Sequence, residues 1–378
     1  MKKSISLILV MVVIVGTLSL ISYRSKSFAS DLKIAILTAD VFEDNYTGQT
    51  ILDASQTLKS EGITADLIEC KGDSFRLRMT EAASSHEMVV CVGKQFWEIG
   101  EVSREYPGVK FVWMNNTVEN PEDYPNLENV TFYENQGAYL AGYVAAALTE
   151  TGVIGIIMPE KNSSFTRYAA GFIQGARSVN SSVDVVTVIA SPGNSGDSSA
   201  PAMTAIGNDA DVILEVGFGT DTGVYEAAKD KGVFIIGTET DKKITLRKYD
   251  EQILCSVKKD IGRAIVRVVT RYDDYDQFSG GKNISVGINE GYVDICYGDE
   301  YSVNLVDENL VTQIRYLRDS IINNVIAVDT QTEELDNAIQ LEDTKAADVD
   351  ETEAGPDPGG GQTETGGDYL EGRIVPDK

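Results

Sequence analysis

The sequence predicts an α/β protein of two doubly wound parallel-sheet lobes joined by a hinge. Three observations carry that expectation. Short Val/Ile-rich runs recur with no polar alternation, as strands covered on both faces require. Longer stretches between them place apolar residues three and four apart, the period of a helix with one buried face. The alternation restarts at Gly152 with no low-complexity linker before it, so a second strand–helix series follows the first directly. With 378 residues, 42% of them hydrophobic, the chain can build two lobes of ordinary size.

In order, Leu32–Thr38 reads as the first strand and Thr47–Lys59 as a helix. Ile63–Glu69, Met88–Gly93, Lys110–Asn115 and Val130–Tyr133 read as further strands, and Gln136–Leu148 as an Ala/Leu-faced helix. In the second series, Val153–Met158, Val183–Ala190, Val212–Gly217 and Val233–Gly237 are strands. The helices between them are Ser164–Val179, Ser198–Asn208 and Thr220–Lys231. The chain is expected to change lobe near residue 150 and again near 255, within a two-lobed domain spanning 31–328.

The ends differ from this middle. Residues 1–30 read as a signal peptide or an N-terminal membrane anchor. Lys2 and Lys3 precede an apolar stretch from Ile5 to Ser22, and Ser27-Phe28-Ala29 fits a small-x-small cleavage site. The stretch is as long as a bilayer is thick, and Arg24 and Lys26 follow it, so cleavage and anchoring both stay open. No cysteine precedes Cys70, so lipid attachment at an N-terminal cysteine is not expected. Residues 329–378 carry fifteen acids against three bases and the run Pro356-Asp-Pro-Gly-Gly-Gly361. Such a segment buries too little surface to offset chain entropy, so an acidic disordered tail is expected.

Composition excludes several classes. The net charge of -27, with no basic stripe, argues against nucleic-acid binding. The lone histidine, His86, and four scattered cysteines form no zinc or CxxC motif. Cys91 sits in an apolar run and reads as a buried hydrophobe. Cys255 and Cys296 both fall on strands, where a disulfide is an open option outside the cell. With no GxSxG, HExxH or P-loop, no catalytic residue, metal or cofactor is expected, and the chain does not read as an enzyme.

Ligands of doubly wound sheets bind beyond the carboxyl ends of the strands. That rule nominates Asp40–Tyr46, Lys94–Trp97, Asn115–Asn116, Pro159–Phe165, Phe218–Asp221, Glu239–Asp241 and the neighbourhood of Lys258. One of these, Gly217-Phe-Gly-Thr-Asp-Thr-Gly223 with Glu239 downstream, imitates a dinucleotide fingerprint, but its GxGxxxG spacing is one residue too long.

Four segments, in order, resemble the basic membrane protein family, also called the purine-nucleoside receptor-like family. They are Val130-Thr-Phe-Tyr-Glu-Asn-Gln-Gly-Ala-Tyr-Leu-Ala-Gly142, Phe165–Arg177, Gly217–Lys229 with Ile235–Asp241, and Ile253-Leu-Cys-Ser-Val-Lys258. The resemblance covers roughly residues 32–325. It implies a type I periplasmic-binding fold and an extracytoplasmic solute-binding protein of an ABC importer. The implied ligand is a nucleoside or similar small polar molecule, and the implied partners are ABC permease subunits, with the receptor itself a monomer. Several members act instead as ligand sensors, which is the alternative. In the site it implies, Glu239 and Asp241 accept from ribose hydroxyls and Lys258 donates; a plain surface ion pair among the three is the competing reading. The first loop departs from the family: Asp44 and Asn45 are the candidate polar residues, and Tyr46 stands in for a stacking Phe. Asn115 occupies a family Asp position. A second stacking Phe is missing before Asp197, leaving Phe96 and Phe218 as candidate aromatic platforms.

Overall fold

The computed structural model describes residues 30–39, 46–191, 196–219 and 221–342, and of Tyr46 the backbone alone. The signal or anchor segment and most of the acidic tail lie outside the described residues. Within them, no helix is long and apolar enough to cross a membrane.

The strands are β1 (Ile34–Thr38), β2 (Ala65–Glu69), β3 (Met88–Val92), β4 (Lys110–Met114), β5 (Leu127–Phe132), β6 (Val153–Met158), β7 (Asp184–Ile189), β8 (Val212–Glu215), β9 (Phe234–Glu239), β10 (Ile253–Lys259), β11 (Lys282–Val286), β12 (Val293–Cys296) and β13 (Ile339–Gln340). Among the described residues they form a six-stranded sheet, β11-β5-β4-β3-β1-β2, and a seven-stranded sheet, β12-β10-β9-β8-β6-β7-β13. Pairing is parallel except between β10 and β12. The continuous apolar runs behave as expected: every residue of β1 and β3 is buried. Helices on both faces of each sheet supply that cover.

The helices are α1 (Tyr46–Ser60), α2 (Phe75–Ala83), α3 (Ile99–Glu105), α4 (Glu134–Leu148), α5 (Ser163–Val179), α6 (Ser199–Gly207), α7 (Gly223–Lys231), α8 (Lys242–Thr245), α9 (Ile261–Tyr275) and α10 (Glu308–Ile322). Two of them are exchanged between lobes. Helix α4 follows a strand of the first sheet but packs on α5, β10 and β12 of the second lobe. Helix α9 follows β10 of the second sheet but packs on α1 of the first lobe. The α4–α5 contact is unusually close. A Cβ on Gly171 would lie 2.0 Å from the Asn135 carbonyl oxygen, and one on Gly175 1.9 Å from that of Tyr139. Around this seam Leu140 and Phe172 are fully buried, each contributing about 1.5–3 kcal/mol.

This exchange corrects the expected boundaries. The first change of lobe falls at Tyr133, ahead of the helix, not near 150. The second falls after Lys259, because Cys255 is still inside β10. There is also a third, between β11 and β12, since those short strands join different sheets. The connections bind one another: Tyr133 N–H donates to Val286 O at 2.8 Å and Asp260 N–H to Tyr292 O at 2.8 Å. Ile288 N–H donates to Gln136 Oε1 at 2.9 Å. The hinge is therefore a bundle of three hydrogen-bonded segments.

Two further expectations are corrected. The tail does not begin at 329: Leu335 is buried, and β13 adds to β7 in parallel, with Leu341 N–H donating to Ile189 O at 3.0 Å. The backbone pairing available at the β7 edge outweighs the segment's acidity as far as Leu341. Cys255 and Cys296 are unpaired thiols. Cys296 stands opposite Ser256 in the β10–β12 ladder, not opposite Cys255, and its Sγ lies 3.4 Å from Ser256 O.

Candidate functional site

Both sheets end, at the carboxyl side of their strands, in residues held in unusual backbone conformations. Asn115, just past β4, has φ 65°, and Glu239, the last residue of β9, has φ 70°. Left-handed backbone at a non-glycine residue costs of order 1–3 kcal/mol and persists only where the surroundings impose it. At Asn115 the N–H is tied to Val130 O at 2.7 Å, while its buried Oδ1 has no hydrogen-bond partner.

From Glu239 a chain of charges runs inward. Its Oε1 lies 3.7 Å from Lys259 Nζ, whose side chain is only 1% exposed. The same ammonium lies 3.5 Å from Glu134 Oε1 and 5.9 Å from the ring centres of Phe132 and Tyr168. Glu134 is fully buried and accepts from Ser164 Oγ and Arg167 Nε, each at 2.6 Å. Arg167 Nη2 is buried with no partner. Each residue is placed by a strand end. Glu134 opens α4 after β5, Ser164 and Arg167 lie in the first turns of α5 after β6, and Lys259 closes β10. Among the described residues two carboxylates and two cations balance, which is the condition under which buried charges persist.

A cavity of about 630 Å³ opens beside Glu239 between the lobes. Thr50 and Asp53 of α1 line one side, and Glu239, Asp241, Lys258 and Asp260 the other. The size falls within the range of small-molecule sites. Elsewhere, Lys94 Nζ of the first lobe meets Glu160 Oε1 of the second at 2.6 Å. The hydrogen bond from Lys94 holds the Glu160 carboxyl below its usual range. Beneath the second lobe's loops, Glu215 is buried and accepts from Phe218 N–H at 3.0 Å and Tyr225 OH at 3.2 Å. Burial raises its pKa, against the opposing pull of nearby Lys242.

The expected site residues divide. Glu239 stands where expected, between the cavity and the buried network. Asn115 keeps a strand-end position with an unused acceptor. Asp44 and Asn45 lie outside the described residues; Tyr46 begins α1, and nothing is described of its ring. Phe96 is not a platform: it is fully buried, edge-on to Phe75 at 5.3 Å. Phe218 is 6% exposed within the second lobe's core. Asp241 lines the cavity, but its carboxylate caps Lys243 N–H at 3.1 Å and accepts from Gly298 N–H at 2.9 Å. Lys258 points outward and pairs with Asp260 at 3.6 Å, not with Glu239 or Asp241. Strand alternation puts successive side chains on opposite faces, so Lys259, one residue on, turns inward to Glu134 and Glu239 while Lys258 lines the cavity. Glu134 and Arg167 were missed too, although both lie within segments carrying the family resemblance, whereas Ser164 falls in the nominated stretch Pro159–Phe165.

Comparison with known proteins agrees with this architecture. Residues 26–332 match the model of a family described as ABC transporter substrate-binding protein PnrA-like. The chain is 26% identical over 308 residues to basic membrane protein A of Borreliella burgdorferi, covering 80% of this chain and 88% of that protein. It is 30% identical over 212 residues to the ABC transporter nucleoside-binding protein BmpA of Lactococcus lactis, covering 51% of this chain and 58% of that one. Among solved structures, an ABC transporter solute-binding protein from Aeropyrum pernix superposes with a TM-score of 0.65 at 17% identity, covering 81% of this chain and 95% of the other. That likeness establishes the type I solute-binding fold.

Proposed function

This chain belongs to the Bmp family of PnrA-like ABC transporter substrate-binding proteins, and we propose that it captures a neutral nucleoside between its lobes outside the cytoplasm and delivers it to ABC permease subunits. The observation that carries the ligand class is the network Glu239–Lys259–Glu134–Arg167. Among the described residues its charges already cancel, so an anionic ligand would bring a buried charge with no counter-ion, which is strongly unfavourable. A ribose instead brings hydroxyl donors for the Glu239 carboxylate, which lines the cavity. The name of the Lactococcus lactis relative, a nucleoside-binding protein, supports the same class. Closure follows from the hinge: three short segments allow rotation of one lobe on the other, and the exposed Lys94–Glu160 pair is a weak contact suited to opening.

Thermal-shift measurement on the full chain tests the reading. A true ligand at one hundred times its Kd stabilises by about 2.7 kcal/mol. Inosine, guanosine or adenosine should raise the melting temperature. The nucleoside assignment fails if none of the three does.

A further inference from the structure

Resting on that nucleoside reading, we infer that Arg167 contacts the ligand, donating to a carbonyl oxygen of the bound base and so favouring oxo- over amino-bearing nucleosides. The observation is an orphaned nitrogen. Arg167 Nε is committed to Glu134 at 2.6 Å, yet Nη2 is sealed from solvent and meets no acceptor. A guanidinium stays protonated and can only donate. Folded proteins leave few buried donors unpaired, and those that remain call for an explanation such as a functional role.

Position makes a ligand the fitting acceptor. Arg167 connects through Glu134 and Lys259 to Glu239, which lines the cavity. Glu239 and Lys259 end β9 and β10, and Glu134 and Arg167 lie in the first turns of the helices that follow β5 and β6, the side on which doubly wound sheets bind their ligands. The two members between them are already engaged: Glu134 is held by Ser164 and Arg167, and Lys259 lies between two carboxylates. Arg167 Nη2 is left over, on a planar fork whose Nε is already fixed by Glu134. A ring carbonyl offers it two lone pairs and no hydrogen to dispose of. An exocyclic amino group in the same place would turn its own hydrogens toward the donor. The expected discrimination is the gain or loss of one charge-assisted hydrogen bond in a closed site.

The test is calorimetric titration of the full chain, wild type and Arg167→Lys, with inosine and with adenosine. Wild type should bind inosine about tenfold more tightly or better, the usual scale for a hydrogen bond to a charged group. Arg167→Lys keeps a cation beside Glu134 but loses the second nitrogen. It should weaken inosine by roughly that factor more than it weakens adenosine, closing the gap between the two nucleosides. Equal wild-type affinities for the two nucleosides overturn the inference, and that arm needs no variant to fold. Equal weakening of both in Arg167→Lys also overturns it, since that is what a structural role produces. Binding of neither nucleoside by wild type fells the nucleoside reading itself, and this inference with it. Unselective binding removes only the role of Arg167.

Discussion

Replacing Lys259 by methionine should destabilise the protein far more than the same change at Lys258, although the two are adjacent. Lys259 Nζ stands 3.5 Å from Glu134 and 3.7 Å from Glu239 with its side chain 1% exposed. Removing it leaves carboxylate charge in the interior without its counter-ion, a loss of about 3–5 kcal/mol for a broken buried pair. At roughly 2 °C per kcal/mol for a chain of this size, the melting temperature should fall by about 6–10 °C. Lys258 is 51% exposed and pairs with Asp260 at 3.6 Å. Such surface pairs contribute about 0–1 kcal/mol, so Lys258→Met should move the midpoint by no more than about 2 °C. Differential scanning calorimetry of both variants at pH 7 decides. Equal shifts, or a larger one at Lys258, would refute the assignment of Lys259 to the buried network.

Other outcomes follow from the same geometry. Gly175→Ala would drive a methyl to 1.9 Å from the Tyr139 carbonyl oxygen; separating α4 from α5 to fit it should cost about 3 kcal/mol or more, read as a lowered denaturation midpoint. Glu215 has its carboxyl pKa raised by burial, so the folded state holds a proton that the unfolded chain releases. Its stabilising contribution is full below the ordinary carboxylate pKa and is lost as pH rises through the raised value. Glu215→Gln cannot titrate, so its melting temperature minus that of wild type should climb as pH rises from the ordinary carboxylate range toward neutrality; a flat difference would contradict the shift. Burial pushes the Cys70 thiol up to about 11 and the Cys255 and Cys296 thiols higher still. A thiol reagent at pH 8 should therefore label the native protein slowly and all four cysteines after denaturation. Two labelled thiols in denaturant would indicate a disulfide.

The fold was legible because its strands are buried on both faces. Continuous runs such as Met88-Val-Val-Cys-Val92 cannot be half-exposed strands, and their alternation with helices leaves few architectures. Lobe boundaries were harder, because α4 and α9 each pack on the lobe opposite to the strand they follow. Nothing in the sequence of Glu134–Leu148 says which sheet its apolar face covers. Strand β11 was missed because it lacks the continuous Val/Ile signature: Lys282–Val286 includes Asn283 and Ser285 at a sheet edge. In the site, Glu239 was readable from its place after a strand. Lys258 was chosen over Lys259 because β10 is buried on both faces up to Val257, so alternation gave no clue to which lysine turned inward. Phe96 and Phe218 illustrate the opposite error: aromatic residues just beyond a strand are as useful for closing a lobe's core as for holding a ligand.

The central claim is that a charge-balanced cleft around Glu239 and Lys259 takes a neutral nucleoside. Calorimetric titration of the full chain with inosine and with inosine 5′-monophosphate tests it most directly. Inosine should bind and the monophosphate should not, because its added charge meets no unpaired cation in the network. Tighter binding of the monophosphate, or binding of neither, would contradict the account.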